Sequence, residues 1–179
     1  MFKDILPSIR AIIVLTIITS VAYPLLITGI GQLAFPSQAN GSLVKSGGKI
    51  VGSALLAQKF AAARNFWPRP SAADYATVAS GASNQAFTSK KLLDAVNERR
   101  SEFGHDAPAD MLYASGSGLD PHISPEAARY QAARVAAARK LPLEKVDALV
   151  EKSIEPPQFG FLGQARVNVL LLNRALDQL

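Results

Sequence analysis

The chain has 179 residues, 19 basic and 14 acidic side chains, and no cysteine. Without cysteine, a disulfide framework, a thiolate zinc site and a cysteine nucleophile are excluded. Setting aside Lys3, Asp4 and Arg10 near the amino terminus leaves 17 basic against 13 acidic residues. That charge is mixed in sign and dispersed, unlike the concentrated stripe that nucleic-acid binding needs, so no nucleic-acid partner is expected.

From the amino terminus, residues 1–10 form a basic flank to a membrane span over residues 11–32. No Asp, Glu, Lys or Arg occurs between Arg10 and Lys45. A helix through Ala11–Ile30 reaches roughly 30 Å, the thickness of a bilayer's hydrocarbon core, and carries no polar face. The competing reading is a cleaved signal peptide, with Lys3 and Arg10 as its basic region and Ser20-Val21-Ala22 as the cleavage site. The apolar run continues past Ala22 through Leu25, Leu26, Ile27 and Ile30, which favours an uncleaved anchor. Pro24 predicts a kink, and the small residues Thr16, Thr19, Ser20 and Ala22 predict close approach to partner helices. Arg10 and Lys3 flank one end and no charge follows until Lys45, which predicts a cytoplasmic amino terminus and an exported bulk domain.

Residues 33–48, rich in Gly, Pro, Ser and Asn, read as a neck, and residues 49–179 as one compact soluble domain of about 130 residues, enough for a single core. Lys49–Phe60 reads either as a strand with Gly52 as a bulge or as a strand followed by a helical turn. Pro68 and Pro70 make Arg64–Tyr75 an ordered loop. Ala79–Ala86 is a small polar loop before a helix at Lys90–Phe103, capped by Ser89, with Leu92, Leu93, Val96 and Phe103 on one face and Gly104 ending it. Pro108–Ser115 reads as a buried strand opening onto the loop 116–123. Ser124 as N-cap, Pro125 and Glu126 start a helix running to about Arg139. Pro142 starts another ending near Ser153, and a last helix from about Val167 buries Val169, Leu172, Leu176 and Leu179. Three to four helices and a few short strands make the fold class α+β.

Catalytic constellations are sparse. Asp120 and His122 with Ser115 or Ser117 suggest a membrane-anchored hydrolase as the alternative function, but sequence neighbours in one loop rarely converge into a triad. No G-x-S-x-G elbow is present, and a tight turn before the helix accounts for Asp120 and His122. His105, Asp106, Asp110, Asp120 and His122 lack the spacing that fixes a metal, so no metal site is expected. Two Ser/Gly loops, Ser80–Gln85 and Ser115–Gly118, have the composition of anion-cradling turns, and Arg129, Arg134 and Arg139 could add charge.

Several segments carry a family resemblance: Tyr23-Pro24-Leu25, Gln38–Leu43, Arg69-Pro70-Ser71-Ala72, Ser83-Asn84, and above all SGSGLDPHISPEAA at Ser115–Ala128, followed by Arg166–Leu170 and Ala175-Leu176-Asp177. In this order, end to end, the chain resembles the C subunit of bacterial potassium-transporting P-type ATPases, the KdpC family. The resemblance implies a non-catalytic accessory subunit in the bacterial inner membrane, needed for assembly and activity. Its partners would be a channel-like potassium-binding subunit and a P-type ATP-hydrolysing subunit. It also implies a catalytic chaperone that raises the hydrolysing subunit's ATP affinity, with ATP the one ligand expected and no other cofactor. On this reading Gly81, Ser83, Asn84 and Gln85 form a nucleotide or partner loop, and Ser117, Gly118, Leu119, Asp120 and His122 a partner loop. Ala82 and Ala165 stand where the family pattern has a glycine and a proline.

Overall fold

The computed structural model describes residues 2–179, which divide into two compact units, the segment up to Leu43 and Val44–Leu179. The first is one helical rod: α1 (Phe2–Thr16), a π-helical stretch (Ile17–Ala22) and α2 (Tyr23–Ala34). Its span from Lys3 to Ala34, 32 residues, is long and apolar enough to cross a membrane. The π stretch lies directly before Pro24, whose ring would clash with a carbonyl one turn earlier. Widening the turn there lets the helix pass the proline, and the Thr19 hydroxyl donates to the Leu15 carbonyl at 2.8 Å. A single helical turn, α3 (Pro36–Ala39), follows the break at Phe35.

The neck has more structure than its turn composition predicts. Leu43–Ser46 (β1) pairs with Lys49–Ser53 (β2) as a hairpin. Gly47 and Gly48, at φ 54° and 79°, supply the two positive angles that a two-residue type I′ turn requires. Gly52 is no bulge. A Cβ there would stand 2.0 Å from Gln58 Nε2, so the glycine makes room for that side chain, which donates to the Val51 carbonyl at 3.0 Å.

Within Val44–Leu179 the helices are α4 (Lys90–Phe103), α5 (Ala109–Leu112), α6 (Pro125–Arg139), α7 (Leu143–Lys152) and α8 (Val169–Leu176). Three short strands, β3 (His122–Ile123), β4 (Ile154–Glu155) and β5 (Arg166–Asn168), form an antiparallel sheet in the order β3-β5-β4. Its register sets Ile123 and Ile154 on either side of Val167, and His122 beside Asn168. The fold is therefore α+β with one candidate membrane helix, as expected.

Helix α6 is the centre of the domain. Ala127, Ala128, Ala132, Val135 and Ala136 are all buried, and their small size lets the neighbouring elements approach closely. Ser124 caps it by accepting from the Ala127 amide at 3.1 Å. At its other end Lys140 turns left-handed (φ 57°), and the Leu141 and Lys140 amides return to the Ala136 and Ala137 carbonyls in a Schellman closure. Val146 and Val150 of α7, Leu172 and Leu176 of α8, Val167 of β5, Met111 and Phe66 complete the core.

Four expectations are corrected. Residues 109–112 of the expected strand 108–115 form the short helix α5 instead, the Met111 amide donating to the Pro108 carbonyl and the Tyr113 amide to the Ala109 carbonyl, both at 2.9 Å. Val167 lies in β5, and α8 starts two residues later, at Val169, where Asn168 caps it by accepting from the Leu171 amide at 3.1 Å. Leu179 is exposed beyond the helix end. Leu93 also points to solvent, since α4 buries only the narrower stripe of Leu92, Val96 and Phe103.

Candidate functional site

The proline-punctuated loop 62–70 has no strand partner, yet Phe66 within it is fully buried. Buried amide side chains take the place of a strand. Asn173 accepts from the Phe66 amide at 2.8 Å and donates to its carbonyl at 2.9 Å. Gln131 does the same for Trp67, accepting from its amide at 2.8 Å and donating to its carbonyl at 3.1 Å. Arg134 stacks over the Trp67 ring at 3.7 Å, and burial pulls its guanidinium down to about 10. Arg139 donates to the Arg64 carbonyl at 2.7 Å and pairs with Asp177. Arg129 forms a two-pronged pair with Glu151 (2.6 and 3.0 Å). The three arginines singled out as spare charge for an anion are thus already committed to holding α6 against the rest of the domain.

That pinned loop delivers Arg69 to the mouth of β3, where an open cleft of about 370 Å³ is lined by Arg69, Asp110, Asp120, His122, Gln164 and Arg166, among others. Basic and acidic side chains alternate along it. Arg69 Nη1 lies 3.3 Å from Asp120 Oδ2, His122 Nδ1 3.7 Å from Asp120 Oδ1, His122 Nε2 4.0 Å from Glu155 Oε2, and Arg166 Nε 2.9 Å from the same Glu155 oxygen. Arg69 Nε is sealed from solvent and faces Asp110 Oδ1 at 3.7 Å, beyond hydrogen-bond reach. The second Asp110 oxygen accepts from the Ser124 amide at 2.7 Å, so the cleft is tied to the start of α6.

Asp120 has two duties. Its Oδ1 accepts from the His122 amide at 3.0 Å, the side-chain turn expected before the helix, while Oδ2 faces Arg69. Burial raises the Asp120 carboxyl, but the His122 ring and amide and the Arg69 guanidinium outweigh it and hold the carboxyl below its usual range. Tyr75 supports the cleft from behind by donating to the Arg69 carbonyl at 2.9 Å. Burial first, and then the Asp74 charge, push its phenol up to about 12, against an opposing pull from Arg99.

The two Ser/Gly loops meet. The Ser80 hydroxyl donates to the Ser117 carbonyl, and Gly118 (φ 71°) is packed so closely that a Cβ would stand 3.0 Å from Ser80 Oγ, 3.1 Å from the Gly81 carbonyl and 3.3 Å from Ser71 Oγ. The carbonyl of Leu119 accepts from the Ala57 amide at 2.9 Å. Ser83 and Gln85 face a different cavity of about 430 Å³, which Ser71, Leu92, Lys91 and Arg99 also line. Gln85 accepts from the Ser89 hydroxyl at 2.7 Å, so Ser89 does not cap α4 with its side chain. Asn84 takes a left-handed φ of 52° and is exposed.

The serines of the hydrolase alternative are occupied by local turns. Ser117 Oγ accepts from the Leu119 amide at 3.1 Å and lies 3.3 Å from Ser115 Oγ. Among the described residues, the two faces of the His122 ring meet Asp120 and Glu155, not a serine. His105 and Asp106 are exposed just past α4, while Asp110 lines the Asp120–His122 cleft.

Of the site's members, sequence reading found Asp120 and His122 and missed Arg69 and Glu155 as their partners, with Arg166 as the partner of Glu155. It also missed Asn173 and Gln131. A signal for those two existed: Asn173 follows Leu172 and stands four residues from Val169, and Gln131 stands midway between Ala127 and Val135, so both occupy the buried stripe of a helix. A polar residue there implies a buried partner.

A family model described as "K+-transporting ATPase, c chain" matches residues 5–178. The chain is 51% identical over 189 residues to a Methylococcus capsulatus protein named "Potassium-transporting ATPase KdpC subunit", covering all of both chains. A protein of the same name from Pseudomonas aeruginosa is 53% identical, with 98% of this chain and 97% of the relative covered. Another from Myxococcus xanthus is 48% identical over 99% of this chain and 89% of the relative. With a match running from the anchor to the final helix, and the Ser115–Ala128 segment forming both the charged cleft and the cap of α6, the chain belongs to the KdpC family of K+-transporting ATPase subunits.

Proposed function

We propose that the chain is a non-catalytic accessory subunit of an ATP-driven potassium transport complex. It is held in the bacterial inner membrane by Lys3–Ala34, with a cytoplasmic amino terminus and an extracytoplasmic domain. Its partners are the channel-like potassium-binding subunit and the P-type subunit that hydrolyses ATP. The observation that carries this is the full-length similarity to proteins named as KdpC subunits, anchor included. The loop pair around Ser80–Gly81 and Ser117–His122 suits a docking surface, because Gly118 locks the two loops into one rigid unit while Ser117 stays exposed. The test is complementation in a bacterium lacking its own C subunit and grown at limiting potassium. Restored growth and co-purification of both partner subunits are expected; a membrane-inserted chain that restores neither overturns the proposal.

The chaperone role has its best support in the 430 Å³ cavity, where Lys91 and Arg99 stand beside Ser83 and Gln85 with no carboxylate in the lining. Calorimetry of the full chain with ATP tests it: heat of binding that Lys91→Ala removes is expected, and none at millimolar ATP refutes a direct contact. A direct contact with cytoplasmic ATP needs this domain on the inner face, so it competes with the extracytoplasmic placement proposed above, and orientation decides between the two. A single cysteine at Ser117, labelled in intact cells by an impermeant thiol reagent, reports an outer domain. Protection until the membrane is opened, persisting in the partner-free chain, reports an inner one.

A further inference from the structure

The segment joining β4 to β5, residues 156–165 (PPQFGFLGQA), contains no charged side chain, and it carries Phe159 and Phe161 at 79% and 75% exposure beside the half-exposed Leu162. Large apolar residues normally hide, and three within four positions at a loop tip call for an occupant. Part of the tip's backbone is also paired within the turn. Gln158 and Leu162 exchange both backbone hydrogen bonds at 2.9 Å, Gly160 donates to the Pro157 carbonyl at 2.9 Å, and Phe161 donates to the Gln158 carbonyl at 3.3 Å. Pro156 and Pro157 have no amide hydrogen to satisfy. Phe159 holds a left-handed φ of 54°, followed by Gly160 at 83°, so the tip is a defined turn.

A segment entering an apolar medium must satisfy its backbone internally, and this pairing meets part of that need. Glu155 and Arg166, which close the two ends of the uncharged stretch, neutralise each other in an ion pair at 2.9 Å, so no unpaired charge adjoins the tip. The chain also supplies the surface. Only eight residues lie between Ala34 at the end of the candidate span and Leu43 at the start of β1, which limits the tether to roughly 30 Å even when extended. We infer that the Phe159–Leu162 tip is a second membrane contact, inserting its two phenyl rings and leucine into the headgroup–acyl boundary of the bilayer that holds the anchor. The inference rests on reading Lys3–Ala34 as a membrane span.

The absence of cysteine makes the test clean. Nitroxide labels are placed singly by Phe161→Cys, Gln164→Cys, Val14→Cys and Ser117→Cys in the full chain, reconstituted alone in vesicles of phosphatidylethanolamine and phosphatidylglycerol. Collision with oxygen and with a water-soluble nickel chelate is then read by spin resonance. The label at 161 is expected to favour oxygen several-fold more than that at 117, approaching the one at 14. Adding Phe159→Ser and Phe161→Ser should return the label at 164 to water. A tip as aqueous as residue 117, with residue 14 in lipid, overturns the inference and leaves the anchor standing. An aqueous label at 14 removes the anchor and the inference together. Shielding of 161 that appears only when the other pump subunits are added also overturns it, in favour of a protein partner.

Discussion

Replacing Asn173 by alanine removes both hydrogen bonds that Phe66 makes through its backbone, at 2.8 and 2.9 Å, in a place where Asn173 is 4% exposed and Phe66 not at all. Each buried group left without a partner costs about 1–3 kcal/mol, so the pair costs roughly 2–6 kcal/mol. That is a large share of the roughly 5–15 kcal/mol that holds a typical domain together. In thermal unfolding of the full chain in detergent, the expected loss is roughly 5–20 °C in Tm. Asn173→Asp sharpens the test. The aspartate keeps an acceptor for the Phe66 amide, but its second oxygen meets the Phe66 carbonyl unless it carries a proton. The neutral form is therefore favoured in the folded state, whose carboxyl pKa rises above the unfolded value of about 3.9. For an acid shifted upward, the penalty vanishes below the unfolded pKa and grows as pH rises through and beyond it. Asn173→Asp should thus approach the wild-type Tm on acidification, while Asn173→Ala keeps its deficit at every pH. A change under about 0.5 kcal/mol for Asn173→Ala, the scale of an ordinary surface substitution, would refute the claim that this amide replaces a strand partner.

Ser124→Ala should lower stability by about 1 kcal/mol through loss of the α6 cap, read as a shift in the denaturant midpoint at unchanged slope. Gly118→Ala faces both a φ of 71° and contacts at 3.0–3.3 Å, so a loss of about 1 kcal/mol or more is expected, with weakened co-purification of partner subunits as the functional readout. Asp120, held below the ordinary carboxylate range, adds stability that is fully present above its unfolded pKa of about 3.9 and lost as pH falls through the folded value. Asp120→Asn should therefore flatten the acid limb of the stability curve below about pH 5, and an unchanged limb would count against the Arg69–Asp120–His122 linkage.

Local chemistry made much of this fold readable. The Ser-Pro-Glu start of α6 and the Gly end of α4 place those helix ends where they are observed, because caps and breakers act within one turn of chain. The turn role of Asp120 was readable for the same reason. Residues 108–115 were not, since two adjacent buried apolar residues fit a strand and a short helix equally well. The charged cleft was only half legible: Arg69 reaches Asp120 across 51 residues of chain and Glu155 faces His122 across 33, and no local pattern encodes such pairs.

The widened turn at Ile17–Ala22 has a consequence for anyone mapping the anchor. Each residue of an α-helix advances roughly 100° around the axis, and a π turn spends one extra residue on the same revolution. Residues after Ala22 are therefore out of phase with those before Ile17, and a stripe drawn at constant helical spacing from Leu15 to Gly29 would join two different sides of the rod. A cysteine or tryptophan scan of the anchor should accordingly return two periodic patterns, one per segment, offset by about a quarter turn where they meet. The extra residue makes two independently aimed faces out of one continuous span.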